Sequence, residues 1–290
     1  MSTFPIGVVA AAAMLVLAIG SNSAANPPAA SADGGYEPVV GQAGKDAIWV
    51  PTPDAIIERM LDFAAVKPGD RVVDLGSGDG RITIAAARRG AISTGIEYEP
   101  ALVELSRRRA AEAGVKDVTF KHGDIFQSNF SDADVVTMYL LPELNLRLRP
   151  ILLKMKPGTR IASHNYNMGD WAADDYSTFL GGYAYHWRVP ANVAGYWEFA
   201  VDGDAFPLHV ELTQKYQQFD GRADWGDNAS ALQHTVLSGA DITFVAADAN
   251  GALQRFTGNA DHDGRMQGQV VSAGGVARPF TATRTGKRGK

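Results

Sequence analysis

Short apolar runs alternate with amphipathic stretches over the first half of the chain. Val72-Val73-Asp74-Leu75 predicts a buried strand, and Ile82 to Arg89, stopped by Gly90, the helix after it. A second strand follows over Ala91 to Ile96, ending in Glu97, and then a helix over Pro100 to Ala113 with Leu102, Val103 and Leu105 inward and Gly114 as its stop. Val118-Thr119-Phe120, Asp134 to Tyr139 and Gly158 to Ser163 read as three more strands. Strands alternating with helices demand a parallel sheet, and such sheets place ligands at the carboxyl ends of their strands. Ahead of them, Thr52 caps a helix that has Pro53 at its first position and Ile56, Ile57, Met60, Leu61, Ala64 and Ala65 on its buried face.

From about Val193 the period falls to two. Gly195 to Val201, Phe206 to Thr213, Tyr216 to Ala223, Leu232 to Leu237, Asp241 to Ala247, Leu253 to Asn259, Arg265 to Val271 and Arg278 to Thr283 alternate between Gly, Asp and Asn turns. Even spacing of this kind predicts an antiparallel meander closing into a small barrel, its interior filled by side chains. Two domains follow, α/β over residues 49–190 and all-β over 193–285, with a basic tail at 286–290.

The start of the chain is different in character. Ile6 to Ile19 is an apolar run followed by Ser23-Ala24-Ala25, which reads as a signal peptide or an N-terminal anchor over residues 1–25. Residues 26–48, rich in Ala, Pro, Ser and Gly, are expected to be a disordered linker. The 290 residues are 46% hydrophobic, enough for a large core, and the net charge of -5 offers no global attraction for nucleic acid. Cysteine is absent, which excludes disulfides, thiolate metal sites and a cysteine nucleophile. His122, His164, His186, His209, His234 and His262 show no metal-ligand spacing, so no metal is implied. No oligomeric state is marked.

The candidate chemistry begins at Asp74-Leu75-Gly76-Ser77-Gly78-Asp79-Gly80-Arg81, where three alternating glycines let something approach the backbone closely. The spacing is Gly-x-Gly-x-Gly and not the dinucleotide fingerprint. Asp74 and Asp79 would repel a pyrophosphate and attract the ammonium and sulfonium groups of S-adenosylmethionine. About twenty residues on, Glu97 stands at a strand end where a carboxylate can accept both ribose hydroxyls. Asp124 in Gly123-Asp124-Ile125-Phe126 stands at the next one, suited to an adenine amino group.

With these residues the chain resembles S-adenosylmethionine-dependent methyltransferases of the seven-stranded Rossmann-like type. Val50-Pro51-Thr52-Pro53, the glycine loop, Gly95-Ile96-Glu97 and Tyr139-Leu140-Leu141-Pro142 together resemble bacterial relatives of the ATP synthase c-subunit lysine methyltransferase family. The likeness covers roughly Trp49 to Trp171. It implies a bound S-adenosyl-L-methionine, with Thr52, Asp74, Gly76, Ser77, Gly78, Asp79, Gly80, Glu97 and Asp124 as contacts, and a stretch around Thr52 that closes over it.

The segment after the fourth strand would face the transferred methyl. It lacks the Asn-Pro-Pro-Tyr type of sequence of many amide and nucleobase methyltransferases, and Tyr139 is the candidate for the acceptor channel. His164 is the candidate base, with hydrogen-bonded packing as its plainer role. Arg107-Arg108-Arg109 reads as a solvated helix face. The expected reaction is methyl transfer to a protein lysine. A small-molecule or lipid methyltransferase is the second reading. An exported ligand-binding protein with an inactive methyltransferase-like domain is the third, to which Gly195-Tyr196-Trp197 and Arg284 add a likeness to the lipocalin pattern of an arginine covering a tryptophan. The apolar start suggests export or membrane attachment through residues 6–19, whereas the cytosolic donor suggests a cytoplasm-facing catalytic domain.

Overall fold

The computed structural model describes residues 35–286 except 180, 181, 227 and 273. The expected signal or anchor, the linker up to residue 34 and the last four residues of the tail lie outside the described residues. Among the described residues no helix is long and apolar enough to cross a membrane.

The first half folds as α1 (Asp54–Phe63), β1 (Arg71–Leu75), α2 (Arg81–Arg88), β2 (Ile92–Glu97), α3 (Pro100–Glu112), β3 (Val118–His122), β4 (Val135–Met138), α4 (Pro142–Leu152), β5 (Arg160–His164), β6 (Asp175–Phe179) and β7 (Gly182–Arg188). The sheet order is β3-β2-β1-β4-β5-β7-β6, with β7 antiparallel to both of its neighbours. Alternation along the strands divides the core. Val72, Val135, Ala162 and Ala184 pack under α1 and α2, while Val73, Leu75, Val136, Met138 and Ile161 pack with α4, Trp171 and Trp187. The β6–β7 hairpin was not foreseen. Tyr183 and Tyr185 alternate there with the buried Ala184 and His186, which gives β7 the two-residue period of a strand.

The second half is β8 (Gly195–Val201), β9 (Leu208–Lys215), β10 (Gln218–Asp224), β11 (Ala229–Ala231), β12 (Gln233–Ser238), β13 (Asp241–Ala247), β14 (Leu253–Ala260), β15 (Arg265–Ser272) and β16 (Ala277–Thr285). Chain neighbours pair antiparallel, and the first strand β8 pairs with the last, β16. The seam lies between β11 and β12, where Ser230 Oγ exchanges two hydrogen bonds of 3.1 Å with the Ala247 backbone and Trp225 Nε1 donates to Ala247 O at 2.7 Å. The sheet is therefore a nearly closed barrel.

Its centre is full. Phe244 and Phe256 stack at 4.8 Å, and Phe199 meets both edge-on at 5.9 and 5.7 Å. At one end the Arg284 guanidinium lies 5.0 Å above the Trp197 ring and also bonds Asn192 O. That end faces the α/β sheet. Ala191 N donates to Gly239 O, His262 Nε2 to Met155 O, and Tyr216 Oη to Asp170.

Candidate active site

Strand β1 stops at Leu75, and Gly76, Gly78 and Gly80 then turn through positive φ angles of 73, 54 and 81°. Gly76 and Ser77 donate to Ile96 O at 2.9 and 3.1 Å, which pins the loop against β2. A Cβ on Gly76 would stand 2.8 Å from the Leu140 side chain. The three glycines serve two ends. Gly76 and Gly78 rim a cleft open to solvent, whereas a Cβ on Gly80 would strike Phe120 and Ser106, so Gly80 seats α2 on the sheet. Thr52, Ser77, Asp79, Glu97, Asp124 and Tyr139 line the same cleft; Asp74, Gly80 and His164 do not.

The acidic side chains depart from the simple electrostatic picture. Asp74 shares the face of Val72, not of Val73 and Leu75, so it points beneath α2. There both oxygens accept hydroxyl hydrogen bonds, from Thr137 at 2.8 Å and Thr83 at 3.2 Å. Burial pushes its carboxyl up to about 7. Burial also pushes Asp79 up, but the guanidiniums of Arg81 and Arg109 outweigh it and hold its carboxyl below the usual range. Neither aspartate is a bare negative charge aimed into the cleft, which corrects the expected grip on a cationic ligand. Glu97 spans the loop instead, accepting Gly78 N at 2.8 Å through Oε2 and Glu99 N at 2.9 Å through Oε1.

From Gly35 onward the expected tether is a strap laid across the site. Residues 42–52 roof the cleft. Arg108 binds Tyr36 O at 3.1 Å, and Arg109 bridges Glu37 at 2.7 Å to Asp79, so the arginines read as a solvated face anchor the strap. Lys45 Nζ sits 2.7 Å from Asp124 Oδ2 and 4.5 Å from the centre of the Tyr98 ring. The ammonium takes the place that the sequence assigned to an adenine amino group.

At the opposite end of the cleft the wall is aromatic. Tyr139 follows β4 directly, and the His164 ring packs behind it with centroids 3.9 Å apart. His164 is buried, its Nδ1 lies 3.2 Å from Thr52 Oγ1, and burial pushes its imidazole down to about 4. A neutral ring walled off from the cleft supports Tyr139; it is not placed to act as a base there. Asn165 is the residue that sequence reasoning missed. Held at φ +61°, it accepts from Tyr183 N at 2.9 Å and donates to the Tyr139 hydroxyl at 3.4 Å. An asparagine just past a strand end, a residue type that tolerates the left-handed region, was the available signal.

Residues 74–175 match the ANTKMT methyltransferase domain. A protein-lysine N-methyltransferase of Saccharolobus islandicus is 39% identical over 127 residues, which are 42% of this chain and 79% of that protein. The chain belongs to this family of S-adenosylmethionine-dependent methyltransferases. A human lysine N-methyltransferase of the ATP synthase c-subunit is 33% identical over 128 residues, 43% of this chain and 54% of that one, so the chain spans about half the length of that relative. A crystal structure described as an RNA methyltransferase from Salinibacter ruber with S-adenosyl-L-homocysteine is 49% identical, covers 50% of this chain and 96% of its own, and has a TM-score of 0.49.

The methyltransferase's own residues suit the donor. Gly76, Gly78, Glu97 and Asp124 line the cleft, and a Cβ on Gly76 or Gly78 would stand 2.8 Å from Leu140 or 3.0 Å from Trp49. Loop backbone cleared of side chains beside two carboxylates suits a donor with a charged amino-acid end and a hydroxylated nucleoside.

Proposed function

We propose that this methyltransferase transfers a methyl group to the ε-amine of a lysine in a protein substrate. The observation that carries this reading is the uncharged aromatic wall made by Tyr139, with the neutral His164 behind it and its hydroxyl held by Asn165. A lysine entering such a channel loses water, and desolvation lowers its pKa toward the free amine that must attack. Bound S-adenosylmethionine supplies an electrophilic methyl on a sulfonium. Glu97 and Asp124 would hold its nucleoside and the Gly76–Gly78 backbone its amino-acid end, once Lys45 leaves Asp124. Tyr139 then orients the amine and excludes water, so that proximity does most of the work. The two relatives named for lysine methylation support the same acceptor.

The small-molecule reading loses its holder, because Phe199, Phe244, Phe256 and Phe280 occupy the barrel centre. The donor is made in the cytosol, and we place the catalytic domain on that side. Mass spectrometry of proteins from cells with and without this gene tests the proposal. A methyl-lysine that vanishes on deletion and returns with the wild type but not with Tyr139→Phe is expected. A lost mark on oxygen or on a nucleobase would overturn it.

A further inference from the structure

The strap that roofs the cleft is a hairpin with a cation at its tip. Gly41 N donates to Trp49 O at 2.9 Å, Trp49 N to Gln42 O at 2.8 Å and Gly44 N to Ala47 O at 3.0 Å, so the chain reverses at Lys45 and Asp46. The base is tied down. Glu37 meets Arg108 at 3.2 Å and Arg109 at 2.7 Å, and Gln42 Nε2 donates to the Tyr36 hydroxyl at 2.6 Å. Along residues 35–50 no residue is buried, and Ile48 is 57% exposed although it lines the cleft. A covering segment without a buried residue is held by its polar contacts and opens easily.

At the tip those contacts fall on the two groups that suit a nucleobase. Asp124 has one oxygen to offer, because Oδ1 already accepts from Phe126 N at 2.8 Å. Lys45 Nζ sits 2.7 Å from the other, Oδ2, with the Gln127 amide at 3.3 Å. The same ammonium stands 4.5 Å from the centre of the Tyr98 ring, the flat surface in the cleft on which a base would stack. Lys45 and a nucleobase exclude one another at both groups. Asp46, 3.7 Å from Lys45 Nζ, gives the ammonium a second carboxylate to turn to when it leaves.

We propose that Lys45 is a tethered competitor for the nucleobase end of the donor site: the strap seats its ammonium on Asp124 in the ligand-free enzyme, and S-adenosylmethionine enters only where the tip has lifted. The pair is partly open to solvent, with side chains 35% and 16% exposed, so the hold is weak and sensitive to salt. A tip seated about half to four-fifths of the time lowers donor affinity about two- to fivefold. The loss falls on the association rate, since a bound donor no longer meets Lys45. This rests on the reading that the nucleoside lies at Asp124, and is independent of the acceptor.

The test follows S-adenosylhomocysteine binding to the full chain by stopped-flow fluorescence and calorimetry at about 0.05 and about 0.5 M salt, below and above the strength that screens such a pair. It compares wild type with Lys45→Ala, Lys45→Arg, Asp124→Asn and the double variant Lys45→Ala/Asp124→Asn. At low salt Lys45→Ala should raise the association rate about two- to fivefold and leave the dissociation rate unchanged, while Lys45→Arg behaves as wild type. The difference between wild type and Lys45→Ala should close at high salt. On the Asp124→Asn background the Lys45 substitution should change nothing, because its seat is gone.

An association rate in Lys45→Ala equal to that of wild type would overturn the proposal, and so would faster dissociation, which would make Lys45 a ligand contact. An advantage that persists at high salt or on the Asp124→Asn background would overturn it in favour of a steric effect of the strap. S-adenosylhomocysteine bound as tightly by the double variant as by Lys45→Ala would show that Asp124 does not hold the nucleoside, and would remove the reading beneath the proposal. Weaker binding by the double variant, with no effect of Lys45→Ala alone, would remove the competition and leave that reading in place.

Discussion

At the carboxyl edge of the parallel sheet, β1 is followed by Gly76-Ser77-Gly78, whose glycines rim an open cleft. Inside the barrel the corresponding central space is taken by Phe199, Phe244, Phe256 and Phe280, all almost fully buried. An open sheet can keep a binding site at its rim because the strands below it carry the core. A small closed sheet has only its centre, and uses it for packing. Ligand binding and barrel stability therefore reside in different residues of one chain, and substitutions should separate them.

The largest effect should come from Phe256→Ala in the barrel. It removes a ring packed against three others and is expected to cost about 3–5 kcal/mol in denaturant unfolding. Calorimetric affinity for S-adenosylhomocysteine should stay as in wild type; a parallel loss of affinity would show that barrel and cleft are not separable. Gly78→Ala acts on the other side of the comparison. Its φ of +54° and a Cβ placed 3.0 Å from the Trp49 indole nitrogen oppose any side chain. Affinity should fall about tenfold or more, while stability changes by about 1–2 kcal/mol.

A pH series sharpens the division further. Asp74 has its folded pKa raised to about 7, so its contribution is full below about 4 and is lost as pH rises toward 7. His164 and His186, pushed down to about 4 by burial, contribute in the opposite sense, with stability present above about 6.5 and lost as pH falls to 4. The opposing slopes overlap. Asp74→Asn should therefore make acid destabilisation between pH 6.5 and 4 steeper than in wild type, read from urea midpoints across the range. A shallower profile would show that Asp74 is ionised beneath α2. The smallest change is expected from Lys45→Ala, which frees Asp124 from a surface ion pair and should tighten S-adenosylhomocysteine binding about two- to fivefold. Weaker binding would mean that Lys45 helps to hold the ligand.

Much of this arrangement is legible in the amino-acid order, and the parts that are not have physical causes. Eight of the nine barrel strands among the described residues fall within a few residues of their period-two segments, because most turns carry Gly, Asp or Asn and the hairpins are local; the three-residue β11 had no expected segment. β1 to β5 follow from apolar runs closed by glycine or charge. The side on which Asp74 points was readable from the alternation of Val72, Val73 and Leu75, but a carboxylate beside a glycine loop draws attention to ligand charge first. The resemblance implied closure around Thr52, but the strap ahead of Trp49 was not readable. Glu37 meets Arg109 only after α3 is placed, and nothing local in an Ala- and Gly-rich stretch announces that contact. The β6–β7 hairpin did carry a signal, Tyr183-Ala184-Tyr185-His186-Trp187 after a Gly-Gly pair, hidden by its distance from the motifs that define the site.

The pairing of β8 with β16 has a consequence for how the molecule is made. Tyr196 must find Thr285, close to ninety positions later, whereas the other barrel neighbours meet across short turns. On the ribosome, then, the nascent barrel stays an unsealed sheet with Phe199 and its companions within reach of water and of chaperones until β16 has emerged.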